Sequence, residues 1–301
     1  MSLKHVVVGG GTGWIGSCLI SALQNQGVKT TIISRMPGPC RISWHDLEKK
    51  GLPEDVSDVI NVAGQNILDV TRRWTPGYKQ NICNSRIETT KALAKAVSST
   101  DAKSFVTISG VAYYPTDGKE YTEEDKCEPY DFLSKLCHDW EAAAKLPDDC
   151  KIRQVTIRSG VVLGRTGGMI QQIFPPFFMG AGGIMGTGKQ YMPWIHIRDL
   201  VRLFQHAMCN ENLHGVLNGV APQIITNHEF TKAFAEALWR PSFLPMPTAV
   251  VNLLFGEERA KIVLEGQKVI PKKVLESDFK YNFPDIQSAC KKFAQLNYSD
   301  T

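Results

Sequence analysis

Three groups of residues in this chain combine types and spacings that can do chemistry. The first is Gly9-Gly10-Gly11-Thr12-Gly13-Trp14-Ile15-Gly16, which follows the apolar run Val6-Val7-Val8. Glycines so spaced let backbone N–H groups approach a pyrophosphate, and a helix starting there adds partial positive charge where phosphates sit. The second is Ser34-Arg35, a hydroxyl beside a guanidinium, a pair suited to clamping a phosphate. The third is Ser109, with Tyr113 and Tyr114 close behind it. A serine hydroxyl can polarise a reacting oxygen while a phenol or a water relays the proton.

Each group needs an element to hold it. Lys4 to Gly9 reads as a buried parallel strand, and Ile15, Leu19, Ile20 and Leu23 then recur with helical spacing until Gly27. Glycines alone make only a tight turn; inside a strand–turn–helix unit they are a dinucleotide signature. Gly10, Gly11, Thr12, Gly13, Trp14 and Ile15 are therefore the expected cofactor cradle. Lys29 to Ser34 reads as the second strand, and its end is where a dinucleotide fold meets the adenosine ribose. NAD-specific sites carry an acid there, whereas this chain carries Ser34 and Arg35, so the expected cofactor is NADP.

Asp58 to Gly64 reads as a third strand, whose end residues Val62, Ala63 and Gly64 let the cofactor pass close to the backbone. A long helix is expected from about Tyr78 to Val97, with Asn81, Ser85 and Arg86 on its polar face. Asn81 and Arg86 are cofactor candidates, although a solvated helix arginine fits the pattern as well. Ser104 to Gly110 is a strand ending in Ser109, also set beside the cofactor, and Phe132 to Lys145 is a helix. Arg153 to Arg158 is a strand that runs on through Gly160 and Val162, two further cofactor candidates. This alternation implies an α/β fold with a parallel doubly wound sheet.

From Gly164 the composition changes. Met169 to Gly188 is rich in Gly, Phe, Met and Pro, and so apolar a stretch must cover a substrate pocket or a partner. The expected division is a nucleotide-binding domain over 1–164, open to later strands, and a smaller C-terminal α/β lobe over 165–301. The formal charge is only +4, with Lys and Arg spread along the chain, which excludes a nucleic-acid footprint. No apolar run approaches bilayer length, so no membrane partner is expected. The first strand starts almost at Met1, and no signal or transit peptide is expected there. The eight cysteines form no CxxC pair and no metal-ligand spacing. No metal is expected, and free thiols suit a reducing compartment, taken as the cytoplasm. The expected partner is a small-molecule substrate, and a homo-oligomer is compatible with the chain.

The Gly10-x-x-Gly13-x-x-Gly16 fingerprint, Ser109 at a strand end and Arg158-Ser159-Gly160 together resemble the extended short-chain dehydrogenases/reductases. More narrowly, Arg73-Trp74-Thr75, Ser85-Arg86, Asp139-Trp140-Glu141, Pro193-Trp194-Ile195-His196 and the stretch from Glu265 to Pro271 resemble the branch catalogued as "epimerase family" proteins. Some relatives there are labelled SulA-like cell-division inhibitors. The resemblance spans nearly the whole chain. It implies a Rossmann domain that binds NADP, a small C-terminal domain over the cofactor, and an oxidoreductase of unknown substrate.

One departure matters. The superfamily's catalytic pair is Tyr-x-x-x-Lys on the active-site helix, where Tyr exchanges the proton and Lys holds the nicotinamide ribose. Aligned on Ser134-Lys135, this chain has Asp131 at the tyrosine position. An exposed Asp, with a pKa of about 4, is ionised at neutral pH and donates poorly. Tyr130 lies one residue early; a one-residue shift turns a helical side chain by more than a quarter turn, so Tyr130 is not expected to substitute. The catalytic candidates are then Ser109 and Tyr113, with Tyr114 as a further phenol. Lys135 either binds ribose or is a solvated helix lysine. Three readings follow: an NADP-dependent oxidoreductase of a small carbonyl or alcohol, a non-catalytic NADP-binding or sensing protein, and, on fold analogy alone, a nucleotide-sugar epimerase-like enzyme.

Overall fold

The computed structural model describes residues 4–35, 38–67, 72–295 and 297–301. The N-terminal apolar run becomes the middle of the main sheet, as a strand buried on both faces should. β1 (His5–Gly9) leads into α1 (Trp14–Asn25), β2 (Lys29–Ser34), β3 (Arg41–Ser43), α2 (Trp44–Lys50) and β4 (Asp58–Asn61). Next come α3 (Pro76–Val97), β5 (Ser104–Gly110), β6 (Glu120–Tyr121), α4 (Phe132–Ala144) and β7 (Arg153–Ser159). β8 (Val161–Gly164), α5 (Gly168–Phe178), β9 (Trp194–His196), α6 (Ile197–Cys209) and β10 (Gly215–Gly219) follow. The chain ends with α7 (Asn227–Ala237), α8 (Thr248–Phe255), α9 (Glu257–Leu264), β11 (Lys268–Val269), α10 (Lys272–Glu276) and α11 (Ile286–Ala294).

The main sheet has the order β3-β2-β1-β4-β5-β7-β10, and every pairing is parallel. Growth reverses between β1 and β4, and a crevice forms at such a switch point, outside the C-terminal strand ends. Side chains alternate along β1: Val6 and Val8 pack with Leu19, Leu200 and Phe204, while Val7 packs with Leu93, Val97 and Phe105. The expected α/β doubly wound sheet is the observed one. Among the described residues no helix is long and apolar enough to cross a membrane.

Three local features add to the expected pattern. β10 joins the main sheet and α6 packs on it, a later contribution that the division at 164 left open. Arg41 to Lys50 supplies an edge strand and a short helix, which begins with a Ser43–Asp46 capping box. The Met169–Gly188 stretch opens as α5 with Pro175 and Pro176 inside it, and only its second half is irregular. A Thr226–Glu229 capping box starts α7.

His196 stands out among the buried polar residues. Its ring stacks on Phe283 and Phe293, with centroids 3.8 and 5.0 Å away, and its Nδ1 accepts the Arg198 N–H at 3.1 Å. Burial in that apolar sandwich pulls its pKa down to about 3. The unfolded imidazole takes up a proton near pH 6.5 and the folded one does not, so this contribution is complete above 6.5 and is lost as pH falls towards 3. Urea unfolding between pH 4 and 8 should therefore lose up to about 1.4 kcal/mol per pH unit below 6.5. His196→Asn should flatten that slope; equal slopes in both proteins would assign the titration to another group.

Candidate functional site

The glycine turn is built by close backbone approach. Gly10 donates its N–H to Ile33 O at 2.9 Å, and Val62 donates to Gly9 O at 2.9 Å, which draws the ends of β2 and β4 against the turn. Gly10 has a φ of +76°, and a Cβ there would lie 2.6 Å from Ala63 Cα. A Cβ at Gly16 would strike the Gly10 carbonyl. Gly13 caps α1 without any side-chain acceptor, so the helix end presents bare backbone. Thr12 and Gly13 are exposed, Gly11 and Gly16 are buried, and Ile15 packs on the core. The Trp14 indole turns away, donating to Asp300 Oδ2 at 2.9 Å and lying across Gly167 and Gly168.

β2 runs level with β1, Gly9 opposite Ile33, so Ser34 and Arg35 emerge beside the turn, Ser34 buried and Arg35 exposed. Val62, Ala63 and Gly64 emerge on its other flank. A helix end free of side-chain caps, glycine-lined and flanked by an exposed guanidinium fits a dinucleotide phosphate.

A cavity of about 270 Å³ opens at the C-terminal ends of β5 and β7, lined there by Gly110, Ser159 and Gly160. α4 contributes Leu133, Leu136, Cys137 and Trp140, an apolar face at helical spacing. Met169, Met185 and Met192 form more of the wall, and residues 261–267 close it from the C-terminal lobe. Ser109 lies just behind this wall, 3% exposed, with its hydroxyl against the Cys137 thiol and no oxygen or nitrogen partner among the described residues. The Cys137 thiol sits beside it, its pKa pushed up to about 12 by burial, and is no nucleophile.

Arg86 reaches the same cavity from α3 while only 6% exposed. It donates to Gln65 O at 2.9 Å and to Ile82 O at 3.2 Å, and its guanidinium lies 5.0 Å from the Trp140 ring centre. It makes no ion pair among the described residues, and its Nε has no hydrogen-bond acceptor. Burial lowers its pKa to about 10, which leaves it cationic at neutral pH.

The other site candidates divide. Gly160 lies on the cavity wall, tight against Pro193 O at 2.6 Å from a would-be Cβ. Val162 is partly buried in β8 against the core, and Asn81 is exposed on α3, off the cavity wall. Lys135, the ribose-binding candidate, is exposed, pairs with Asp139 at 3.3 Å and is not on the cavity wall, which fits the alternative of a solvated helix lysine. Tyr113 is held elsewhere. Its ring is held between His138, stacked at 4.1 Å, and the Arg158 guanidinium at 3.3 Å, away from the cavity. Tyr114 spends its hydroxyl on Thr122 O, Asn218 and Arg158.

Asp131 is the N-cap of α4, accepting the Ser134 N–H at 2.7 Å. Tyr130 therefore lies outside the helix, and the register argument against it does not apply. It lines the cavity, donates to Tyr114 O at 3.0 Å, and has its pKa pushed up to about 12 by burial. In the sequence it stands one residue early for the Tyr-x-x-x-Lys pattern, and that offset set it aside.

The model of the NAD dependent epimerase/dehydratase family matches residues 6–218, and a domain of unknown function, DUF1731, matches 246–293. "Epimerase family protein SDR39U1" of Bos taurus is 47% identical over 292 residues, covering 96% of this chain and 99% of that protein. A crystal structure of the human protein of that name, determined with NADPH, is 46% identical, with a TM-score of 0.94, over 97% of this chain and 99% of that one. A UDP-N-acetylglucosamine 4-epimerase from Bacillus cereus shares the fold at 16% identity and a TM-score of 0.76, over 97% of this chain and 98% of that one.

Gly10→Ala should strain the left-handed turn and drive a methyl into Ala63. The expected cost is roughly 2–4 kcal/mol, read as a lower urea midpoint, with loss of dinucleotide binding by calorimetry. Unchanged stability would mean that the turn can open freely.

Proposed function

This chain belongs to the NAD dependent epimerase/dehydratase family, and from that premise we propose that it is an NADP-dependent oxidoreductase of a small, largely apolar carbonyl or alcohol. The observation that carries this reading is Tyr130 on the wall of an apolar cavity at a strand end, with the buried Ser109 hydroxyl one residue behind Gly110 of the same wall. NADP as cofactor is supported by the NADPH bound to the human relative and by Arg35 in place of an acid. NADPH, when bound, supplies a hydride equivalent.

In this reading the backbone from Gly10 to Ile15 holds the pyrophosphate, and Ser34 with Arg35 holds the 2′-phosphate. Val62, Ala63 and Gly64 keep the adjoining wall low. Arg86 supplies the fixed positive charge beside the nicotinamide half that Lys135 does not. Ser109 Oγ–H donates to the substrate oxygen, and Tyr130, protonated at neutral pH, gives or takes the proton. Leu133, Met169, Met185 and Met192 exclude water and favour an apolar substrate body. The C-terminal lobe closes the cavity.

A second reading rests on α4, whose cavity-facing residues include neither the usual Tyr nor the usual Lys. A protein that kept the cofactor and lost the chemistry would look the same on that helix. Rates separate the two. With a panel of aldehydes, ketones and quinones, NADPH oxidation by the parent protein should fall about a hundredfold in Ser109→Ala and in Tyr130→Phe, and hardly at all in Tyr113→Phe. Tight NADPH binding with no turnover of any carbonyl would favour the binding protein.

The cofactor assignment has its own test. Arg35→Ala should weaken NADPH binding about tenfold to a hundredfold, the roughly 1.5–3 kcal/mol of a charge-assisted contact, and leave NADH binding unchanged. Equal affinity of the parent protein for both cofactors would overturn it.

A further inference from the structure

The C-terminal lobe carries a face with no partner. Of the large hydrophobic side chains left exposed among the described residues, all except Tyr130 and Leu275 come from two segments, 168–188 and 237–256. Phe178, Met179, Trp239, Phe243, Leu253 and Leu254 are the principal members. The segments lie side by side: Arg240 Nε donates to Phe178 O at 2.7 Å, Gly180 faces Pro241, and Met185 forms a backbone bridge with Met246. Neither segment contains Asp or Glu, and together they hold one charge, Arg240. On α8, Val250, Leu253 and Leu254 are spaced i, i+3, i+4 and point outward together.

Trp239 is the least expected member. It follows α7 with a φ of +55°, donating its N–H to Glu236 O while Arg240 donates to Ala235 O. That is the position after a helix end where glycine normally sits, because a side chain is strained there. Trp239 bears the strain while 92% exposed, so it gains no burial in return. Nothing within a single copy explains it.

We propose that this face is where two copies of the chain associate about a two-fold axis. A two-fold contact sets a surface against itself, and a face with one charge meets itself almost without like-charge repulsion. Its aromatic, Met and Arg content with few other charges is that of an interface core. Side chains of these sizes expose apolar area on the order of 1,000 Å², comparable with the roughly 800 Å² per partner of a stable complex. A lipid surface fits less well: peripheral anchors carry several flanking Lys or Arg, and here Glu257 and Glu258 directly follow α8.

Sedimentation velocity of the full chain, from about 1 to 100 μM, tests this. The parent protein should shift from monomer to dimer with concentration, and hydrogen exchange over 239–255 should slow as it does. Leu253→Asp, at an 85% exposed position, should weaken association about tenfold or more without lowering the monomer's melting temperature. Trp239→Gly should weaken association and raise the monomer's melting temperature, a pair of effects that a purely structural tryptophan would not give. A parent monomer throughout, a dimer indifferent to both substitutions, or a monomer that co-sediments with phosphatidylcholine–phosphatidylglycerol vesicles would each overturn the proposal.

Discussion

The cofactor half of the molecule depends on how closely three strand ends approach one another at Gly10. Gly10 is tied to β2 through Ile33 and lies against Ala63 beyond β4, while Gly9 accepts from Val62. A side chain at Gly10 would separate these ends, and one at Gly16 would push α1 off the turn. That contact fixes where α1 begins, and hence where its unpaired N–H groups point. It also fixes the places where Ser34, Arg35 and Gly64 emerge. One steric constraint therefore sets the positions of residues drawn from three separate parts of the chain.

Two buried arginines show what distinguishes structure from site. Burial alone would lower the Arg158 pKa, but the Glu141 carboxylate, bound at 2.8 Å by both Nε and Nη2, raises it instead. Tyr114 completes its set of partners, so Arg158 is a satisfied core residue that locks β7 to α4. Arg86 is as deeply buried but meets carbonyls, the Ser85 hydroxyl and an aromatic ring, with no carboxylate among the described residues, and its pKa goes down. An uncompensated buried cation is costly to keep, and it stands on the wall of the apolar cavity at the ends of β5 and β7. The proposed use of Arg86 follows from that contrast.

Local pattern and chemistry made the sheet, the glycine turn and the Ser34-Arg35 position legible, because each depends on residues next to one another in sequence. The cavity wall was legible only in part. Ser109 could be placed because it ends a strand, but the phenol opposite could not. It was set aside by a helical register argument, although a helix starting at Phe132 leaves Tyr130 outside it, beyond the Asp131 cap. Tyr113 looked well placed by proximity to Ser109, yet the long-range stack of His138 and Arg158 claims its ring. Strand β10 and helix α6 lie beyond the change in composition at Gly164, and their return to the main sheet is a matter of topology. Arg86 was ambiguous for the same reason: whether a helix arginine is solvated depends on what the fold packs over it.

The lobe joins the two open faces of the molecule. Met185 lines the cavity and also bridges Met246, which leads into α8, and α9 carries Lys261, Ile262 and Val263 back to the cavity. The segments that expose Trp239 and Leu253 outward are thus continuous with those that close the site inward. Few buried apolar contacts hold α8, whose only fully buried side chain is Val251. In the proposed dimer, covering the outer face of so lightly held an element would also stiffen the cavity wall behind it. Association and the shape of the cavity would then be linked through one short helix.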